Sequence, residues 1–415
     1  MAADIIVVGG GAAGMFAALT AAECGCRVRL LEKNDRLGKK LNITGKGRCN
    51  VTNNCTPEEV LQQIPRNPKF LYSSMRAFPP EKVMDFFESH DCPLKTERGQ
   101  RVFPQSDQAS SIVQTLKHAL RRAGVRVEQA EVTDLLMNNG QCCGVMTGSR
   151  ERKADAVILA TGGCSYPLTG STGDGYRLAE KVGHTIIAPR GSLVPLEEEG
   201  HWCAMAQGLS LRNVQLRLLG PKSRQLYSEF GELLFTHFGL SGPIVLSASA
   251  HMKPDDKYRI FLDLKPALDE AALDQRILRD FEKYKNRYFE NALCDLFPAK
   301  LIPVMIARSG IDPGLKVNSI TKAQRKKLCE ITKSFEIHIK SMRPVEEAII
   351  TAGGVRTAEI DPATMESKCA PGLFFAGELI DCDAYTGGFN LQIAWATGRA
   401  AGLGAAKRLG KERKS

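Results

Sequence analysis

No C-x-x-C pair occurs among the thirteen cysteines of this chain, so zinc ribbons and thioredoxin-like dithiols lose their usual signature. Cys24 and Cys26 are one residue apart, Cys142 and Cys143 are adjacent, and the others are scattered. An odd count of dispersed thiols fits a reducing, cytoplasmic setting better than a secreted disulfide framework. The N-terminus lacks a basic n-region, so no signal peptide is expected. Ile5 to Ala22 carries no charge and approaches the length of a membrane span, but Gly9, Gly10 and Gly11 break it into a strand, a turn and a helix. Internal repeats and low-complexity tracts are absent. With 43% hydrophobic and 25% charged residues in 415, the composition excludes a mostly disordered chain, a collagen-like chain and a membrane bundle. The length leaves room for two or three domains.

Glycine and positive charge are what the chain has in plenty. Its 38 glycines imply tight turns and close backbone approaches to a ligand. Lys and Arg number 56 against 46 Asp and Glu, a net charge of +10, which favours a polyanionic partner without naming one. That excess is local. Lys265–Lys333 holds 14 Lys/Arg against 9 Asp/Glu, and Arg399–Ser415 holds 6 against 1. Arg276, Arg279 and Lys283 fall in one helical stretch, and Lys322, Arg325, Lys326 and Lys327 in a second. These seven are the RNA-binding candidates, since phosphate backbones bind such patches by counterion release. A solvated helix face is the plainer reading of a charge run.

The order of elements suggests nesting. Asp4–Val8 reads as a buried strand, Ala12–Cys24 as a helix and Arg27–Leu31 as a second strand. A Gly- and Asn-rich loop follows from Asn34 to Asn54. Helices are expected near Glu81–Ser89 and Ser110–Ala123, and strands at Val125–Val127, Val132–Met137 and Ala156–Ala160. From Ala188 to Leu264 the pattern turns to short strands. Lys265–Lys333 turns helical, and Phe335–Ile339 alternates like another strand. Buried-strand signals and a Gly-rich run into a last helix complete the chain.

Gly9-x-Gly11-x-x-Gly14 sits between the first strand and the first helix. Gly9 allows the tight turn, Gly11 lets a pyrophosphate approach the backbone, and Gly14 permits close helix–strand packing. The helix N-terminus, opened by Ala12 and Ala13, then faces the phosphates. Glu32 ends the second strand, placed for ribose hydroxyls, with Lys33 beside it. This is a dinucleotide site, and later segments choose FAD over NAD. Ala160-Thr161-Gly162 ends a strand in the manner of a segment crossing near a flavin's phosphate and ribitol. Gly377 and Glu378 precede Gly388-Phe389-Asn390-Leu391, which open the last helix, where a positive helix end can stabilise a reduced ring. The amides of Asn390 and Gln392 could bond the flavin's pyrimidine edge; helix capping and surface polarity are their plainer readings. No second GxGxxG exists, so NAD(P)H is expected only as a transient electron donor. No metal site is expected.

Several longer segments are more specific than the fingerprint: VVGGGAAGM at Val7–Met15, LNITGKGRCNVTN at Leu41–Asn53, ATGGCSYPLTGSTGDGY at Ala160–Tyr176, LFTHFGLSGP at Leu234–Pro243, ITAGGV at Ile350–Val355, and FFAGELIDCDAYTGGFNLQIAWATG at Phe374–Gly398. In these segments the chain resembles the BaiN/RdsA (YhiN-like) family of flavoproteins over nearly its full length. The resemblance implies an α/β fold: a Rossmann-like, glutathione-reductase-like FAD-binding domain at 1–189 and 346–415. It is interrupted by a β-barrel-like domain at 190–264 and 334–345, which carries a helical insert at 265–333. It also implies reduction of a C=C bond conjugated to a carbonyl, either in a uridine of 23S ribosomal RNA or in a small-molecule enone such as an oxo-bile acid. A ribosome-binding assembly factor with a structural flavin is the reading from another class.

The side chains that could serve this chemistry are few. Cys49, near Lys46, Gly47, Arg48 and Asn50, is a candidate proton donor with a tunable pKa; packing beside the flavin is the alternative. His237 could donate to a substrate carbonyl. Lys46 and Arg48 are expected at the flavin's phosphates or ring oxygens, and Val132 beside the cofactor. Cys164 and Cys382 are read as packing residues.

Overall fold

The computed structural model describes residues 4–254 and 256–410. The chain opens with β1 (Ile5–Val8), α1 (Ala12–Glu23) and β2 (Val28–Glu32). All four residues of β1 are β-branched and buried, the pattern of a strand covered on both faces. A crossover then reaches α2 (Ala109–Arg122) and β3 (Arg126–Gln129). β4 (Ala156–Leu159) follows, again fully buried, and then β5 (Ile186–Ser192).

The chain next builds a separate barrel from β6 (Leu196–Glu198), β7 (Ser210–Leu219), β8 (Gln225–Phe235), β9 (Gly239–Ser241) and β10 (Tyr258–Asp263). Three helices interrupt it: α3 (Glu270–Lys283), α4 (Ile302–Ser309) and α5 (Lys322–Lys333). Both long helices start where their sequences cap them. Asp269 accepts from the Ala272 N–H at 2.7 Å, and Thr321 and Gln324 form a reciprocal capping box. β11 (Phe335–Met342) closes the barrel in the order β6-β9-β8-β7-β10-β11. Closure removes the exposed edges that an open sheet would leave. Inward residues such as Val214, Leu216, Ile260 and Ile337 fill it.

The return leg adds β12 (Ile350–Val355), which pairs with β5, then β13 (Leu373–Phe375) and the twenty-residue α6 (Phe389–Arg408). β13 completes a parallel sheet of order β13-β4-β1-β2-β3. Two compact units result, one from residues up to Ser192 with those from Ala348 on, the other Leu193–Glu347. The mixed α/β class expected from the sequence is therefore observed, with a Rossmann-like parallel sheet, a closed barrel and helices.

Three local readings shift. The strand expected at Val132–Met137 runs Asp134–Asn138, because the segment before it is held elsewhere: the Ala130 N–H bonds to the Glu32 carbonyl at 2.9 Å. The loop Asn34–Asn54 contains a short two-residue strand at Thr52–Asn53, paired with Arg101–Val102. The basic run after Gly410 lies outside the described residues.

In the first unit α6 packs directly along α1. A Cβ on Gly398 would lie 2.4 Å from the Ala13 carbonyl oxygen, and one on Gly402 would lie 2.6 Å from that of Ala17. Glycine is tolerated inside this helix because it is the only residue the approach admits. Gly→Ala in a helix normally gains ~1 kcal/mol, but backbone overlap of this kind typically costs ~1–3 kcal/mol. Gly398→Ala is therefore expected to lower the midpoint of denaturant unfolding. An unchanged or raised midpoint would show that the helices are free to separate.

Candidate active site

The residues expected to cradle a dinucleotide converge at the C-terminal ends of β1, β2 and β4. The sheet's connections diverge at β1, the place where open α/β sheets bind ligands. Gly9 has φ +103°, and a Cβ there would lie 2.5 Å from the Ala160 oxygen. Gly14 is tighter, with a Cβ 1.8 Å from the Gly9 oxygen. Gly11 differs from both: a Cβ there meets nothing within 4 Å. It is the N-cap of α1, without a side-chain cap or an acidic residue in the first turn. The N–H groups that Ala12 and Ala13 begin are thus left for an outside acceptor. Glu32 is fixed by accepting from the Gly10 N–H at 2.7 Å and from both the N–H and amide of Asn34 at 2.8 and 2.7 Å. Lys33 turns aside to Thr172 and Asp174 at 2.6 and 2.5 Å. Val132 is buried just past Ala130.

The loop Leu41–Asn53 forms a second wall. Gly45, Lys46, Gly47 and Cys49 all have positive φ, from 57° to 83°. For Lys46 and Cys49 this conformation costs on the order of 1 kcal/mol each, and such strain gathers at functional sites. The loop is clamped to the start of α6. Trp395 donates to the Val51 carbonyl at 2.9 Å, and Asn53 to that of Gly387 at 3.1 Å. A Cβ on Gly388 would lie 2.4 Å from the Thr52 oxygen.

Within this wall several sequence expectations change. The Arg48 guanidinium binds Glu97 and Asp107 and lies over the Phe103 ring at 4.2 Å. It is spent on the protein rather than offered to phosphates. Lys46 is exposed at the loop tip. Cys49 is not a thiol tuned down by its cationic neighbours. It is fully buried, and burial pushes its pKa up to about 12 despite a hydrogen bond with Thr44. Asn390 uses its amide on the Ala384 N–H and carbonyl at 2.8 and 2.7 Å. Gln392 is fully buried, accepting from Thr52 at 2.7 Å and donating to the Phe78 carbonyl at 2.8 Å. Neither amide is therefore assigned to the flavin edge. Phe389 is buried and Leu391 half-buried in the first turn of α6.

Two polar clusters bring in partners that the sequence did not point to, one of them around Glu378, which was expected at the cofactor. Glu378 accepts from Lys40 at 2.7 Å, from Ser165 at 3.0 Å and from the Thr351 N–H at 2.8 Å. Lys40 also donates to Ser165 at 2.8 Å. Beside it, Gly377 has φ +72°, with its Cβ position 2.8 Å from the Ala13 methyl. In the second cluster Arg66 grips the fully buried Asp383, which also accepts from Ser192 at 2.8 Å. Asn67 donates to Asp381 at 2.9 Å, and burial raises the pKa of that acid. Only the partner-seeking behaviour of buried acids could have flagged these, because Lys40, Arg66 and Thr351 lie far from them in the chain.

Do these residues fit a flavin dinucleotide? Asn50 Oδ1 and Thr161 Oγ1 are buried with no hydrogen-bond partner among the described residues. Such atoms are rarely left orphaned. Thr161 lies beside Gly9 at the first turn, and the helix end at Gly11 is open; α6 likewise starts at Gly388 with no side-chain cap and no acid in its first turn. Gly162, with φ +76°, turns the chain away after Thr161. The donors, the open space and the two helix ends fit FAD.

The other candidates lie in the second unit. His237 is exposed between β8 and β9, edge-on to Phe238 at 5.0 Å. Of the basic candidates, Arg276 is paired with Asp280 at 2.9 Å, Lys283 with Asp295 at 2.6 Å and Arg325 with Asp274 at 2.6 Å. These three have intramolecular carboxylate partners. Arg279, Lys322, Lys326 and Lys327 remain exposed. Among the described residues, metal-binding atoms of one trio, His184, Glu359 and Cys369, lie within 4.8 Å of one another. Both ring nitrogens of His184 are already engaged, by Glu359 at 3.2 Å and Ser367 at 2.7 Å.

Comparison with known proteins adds the following. A family model described as the HI0933-like protein Rossmann domain matches residues 3–404. A 3-dehydro-bile acid delta(4,6)-reductase of Clostridium scindens is 33% identical over 409 residues, covering 97% of this chain and 98% of the relative. A ribosomal RNA dihydrouridine synthase of Haemophilus influenzae is 30% identical over 405 residues, covering 96% and 97%. Its Escherichia coli namesake is 29% identical over 411 residues, covering 95% and 96%. Among solved structures, a 3-ketosteroid delta1-dehydrogenase of Sterolibacterium denitrificans matches with a TM-score of 0.52 at 13% identity, covering 98% of this chain and 100% of that one. That likeness is one of fold.

The contrast between Gly11 and Gly14 is testable. Gly11→Val has room in the protein, so the apo form should melt at the wild-type temperature. Its branched side chain would fill the cradle, so the purified protein should lack the yellow flavin absorbance. Gly14→Val should fail to fold at all. Full flavin content in Gly11→Val would refute the assigned cradle.

Proposed function

Because the chain belongs to the HI0933-like Rossmann family of oxidoreductases, we propose that it is an FAD-dependent reductase of uridine in 23S ribosomal RNA, forming dihydrouridine. When bound, the flavin supplies hydride to a C=C bond conjugated to a carbonyl. The chain's own residues bind, orient and protonate. The α1 helix end at Gly11 and the carboxylate of Glu32 hold the dinucleotide, and Asn50 and Thr161 meet it with their free oxygens. The α6 helix end at Gly388 favours negative charge next to it. NAD(P)H is the proposed transient electron donor.

The observation that carries the RNA reading is the outer face of α5. Five of its residues are basic and one, Glu330, is acidic. Arg325 and Lys333 turn inward to Asp274 and Asp263. Lys326 and Lys327 are exposed, with no carboxylate partner among the described residues. A steroid-like substrate needs an apolar pocket and at most one or two cations, so it leaves this face unexplained. With Arg279 and Lys322 added, four phosphate contacts predict a log–log salt slope of about −3. The second reading is an enone reductase acting on a small molecule. It is favoured by the 33% identity to the bile-acid reductase.

Cys49 is sealed in the core with its pKa raised, which argues against it as the proton donor. His237, exposed between β8 and β9, is the alternative donor put to the test. The test is single-turnover reoxidation of the reduced enzyme by 23S rRNA fragments and, separately, by a steroid enone. Rapid reoxidation by RNA supports the first reading; reoxidation by the enone alone hands the function to the second. His237→Ala should slow the productive reaction by ~10²-fold or more. Cys49→Ala should keep the rate within a few-fold and lose ~1 kcal/mol of stability as a small core truncation. The opposite pattern would restore Cys49 to the mechanism.

A further inference from the structure

The barrel carries a second feature that its closure does not require. Strands β8, β7, β10 and β11 lie side by side, and their alternate residues point outward. In register, Phe230 faces Gln215 across β8 and β7, Arg217 faces Phe261 across β7 and β10, and Arg259 faces His338 across β10 and β11. The residues between them, such as Leu216, Ile260 and Ile337, fill the interior. The outer face is therefore a sheet that presents aromatic rings flanked by guanidinium groups. Phe230 is 54% exposed. The Phe261 ring has the Arg217 guanidinium at 5.8 Å and that of Arg259 at 5.5 Å.

Charge adds a sign to this face. The β7–β8 hairpin carries Arg212, Arg217, Lys222 and Arg224, all exposed. None of these four pairs with a carboxylate among the described residues, whereas on the same face Arg259 pairs at 3.0 Å with Glu336, the residue opposite Phe261. The unpaired cations of the hairpin favour an anionic occupant. They make the face a poor surface for a second copy of the chain, since a two-fold contact would set the same arginines against each other. Unpaired nucleic-acid bases suit it. Bases stack on aromatic rings and on arginine planes, while their phosphates meet the surrounding cations. Phe230 and Phe261 stand two strands apart, roughly 10 Å, a span for two or three bases.

We propose that the outer face of β8-β7-β10-β11 is a docking platform for single-stranded RNA, with Phe230, Phe261 and Arg217 as the stacking groups. The proposal rests on the rRNA reading above and adds the surface that grips the unpaired strand.

The test uses the full-length, flavin-loaded protein and two probes, a twelve-nucleotide oligouridylate and a twelve-base-pair RNA duplex. The single strand should bind at least tenfold more tightly than the duplex. Phe230→Leu and Phe261→Leu remove the rings while keeping apolar bulk. Each should weaken oligouridylate binding about tenfold without changing the salt slope. Phe230→Tyr should restore binding. Arg217→Met should weaken binding and reduce the slope by about 0.7. Flavin content and melting temperature confirm that each variant is folded. Wild-type affinity in both leucine variants would overturn the platform, as would Phe230→Leu altering the sedimentation of the protein rather than its RNA affinity. In either case the rRNA reading survives if 23S rRNA still reoxidises the reduced enzyme. If wild-type protein binds neither probe and 23S rRNA does not reoxidise it, platform and reading fall together.

Discussion

Backbone approaching backbone is the constraint on which the first unit depends. Gly9, Gly14, Gly377, Gly388, Gly398 and Gly402 each sit where a Cβ would overlap another segment of the chain. Together they draw α1 onto β4, α6 onto α1, and the start of α6 onto the Leu41–Asn53 loop. Side chains cannot create such contacts, because their bulk is what would prevent them. The same closeness leaves helix ends uncapped at Gly11 and Gly388, where a phosphate or a charged ring can come within hydrogen-bonding distance. Packing and cofactor binding are thus two consequences of one arrangement.

Charge is handled in opposite ways in the two units. In the first, acids near the site are drawn in and held by donors from distant segments: Asp383 by Arg66, Glu378 by Lys40, Asp381 by Asn67. Removing one partner of a buried pair strands the other and typically costs ~3–5 kcal/mol, so these clusters hold the loops around β12 and β13 in place. In the second unit the cations of α3 are mostly spent on nearby acids, while those on the outer face of α5 and on the β7–β8 hairpin are left to solvent. Exposed cations without partners contribute little to stability. Their value lies in what they attract.

Sequence and structure part company most clearly at residues whose roles depend on burial. Cys49 beside Lys46 and Arg48 reads as an activated thiol, yet Arg48 turns to Glu97 and Asp107 and the sulfur is sealed in. Asn390 and Gln392 read as amides free to meet a ring, yet each finds backbone or hydroxyl partners that a linear pattern does not display. Lys40 and Thr351 carry no motif of their own. They matter because β12 and the loop after β2 arrive at Glu378 together.

What the amino-acid order determined alone is local and periodic. Strand, glycine turn, helix and terminal acid lie within the first 32 residues, so the dinucleotide fingerprint needs no distant information. The barrel's alternation of inward and outward residues is equally legible, because a strand's period of two is written in consecutive positions. Tertiary structure decided everything that requires two distant segments to meet: which basic residues are neutralised, which thiol is buried, and which acids are paired. It also decided that Phe230, Arg217 and Phe261 share one face, since three strands must come into register before residues 217, 230 and 261 are neighbours. The physical reason is that hydrogen bonding, desolvation and Coulomb attraction act across a few ångströms of space, whatever the separation along the chain.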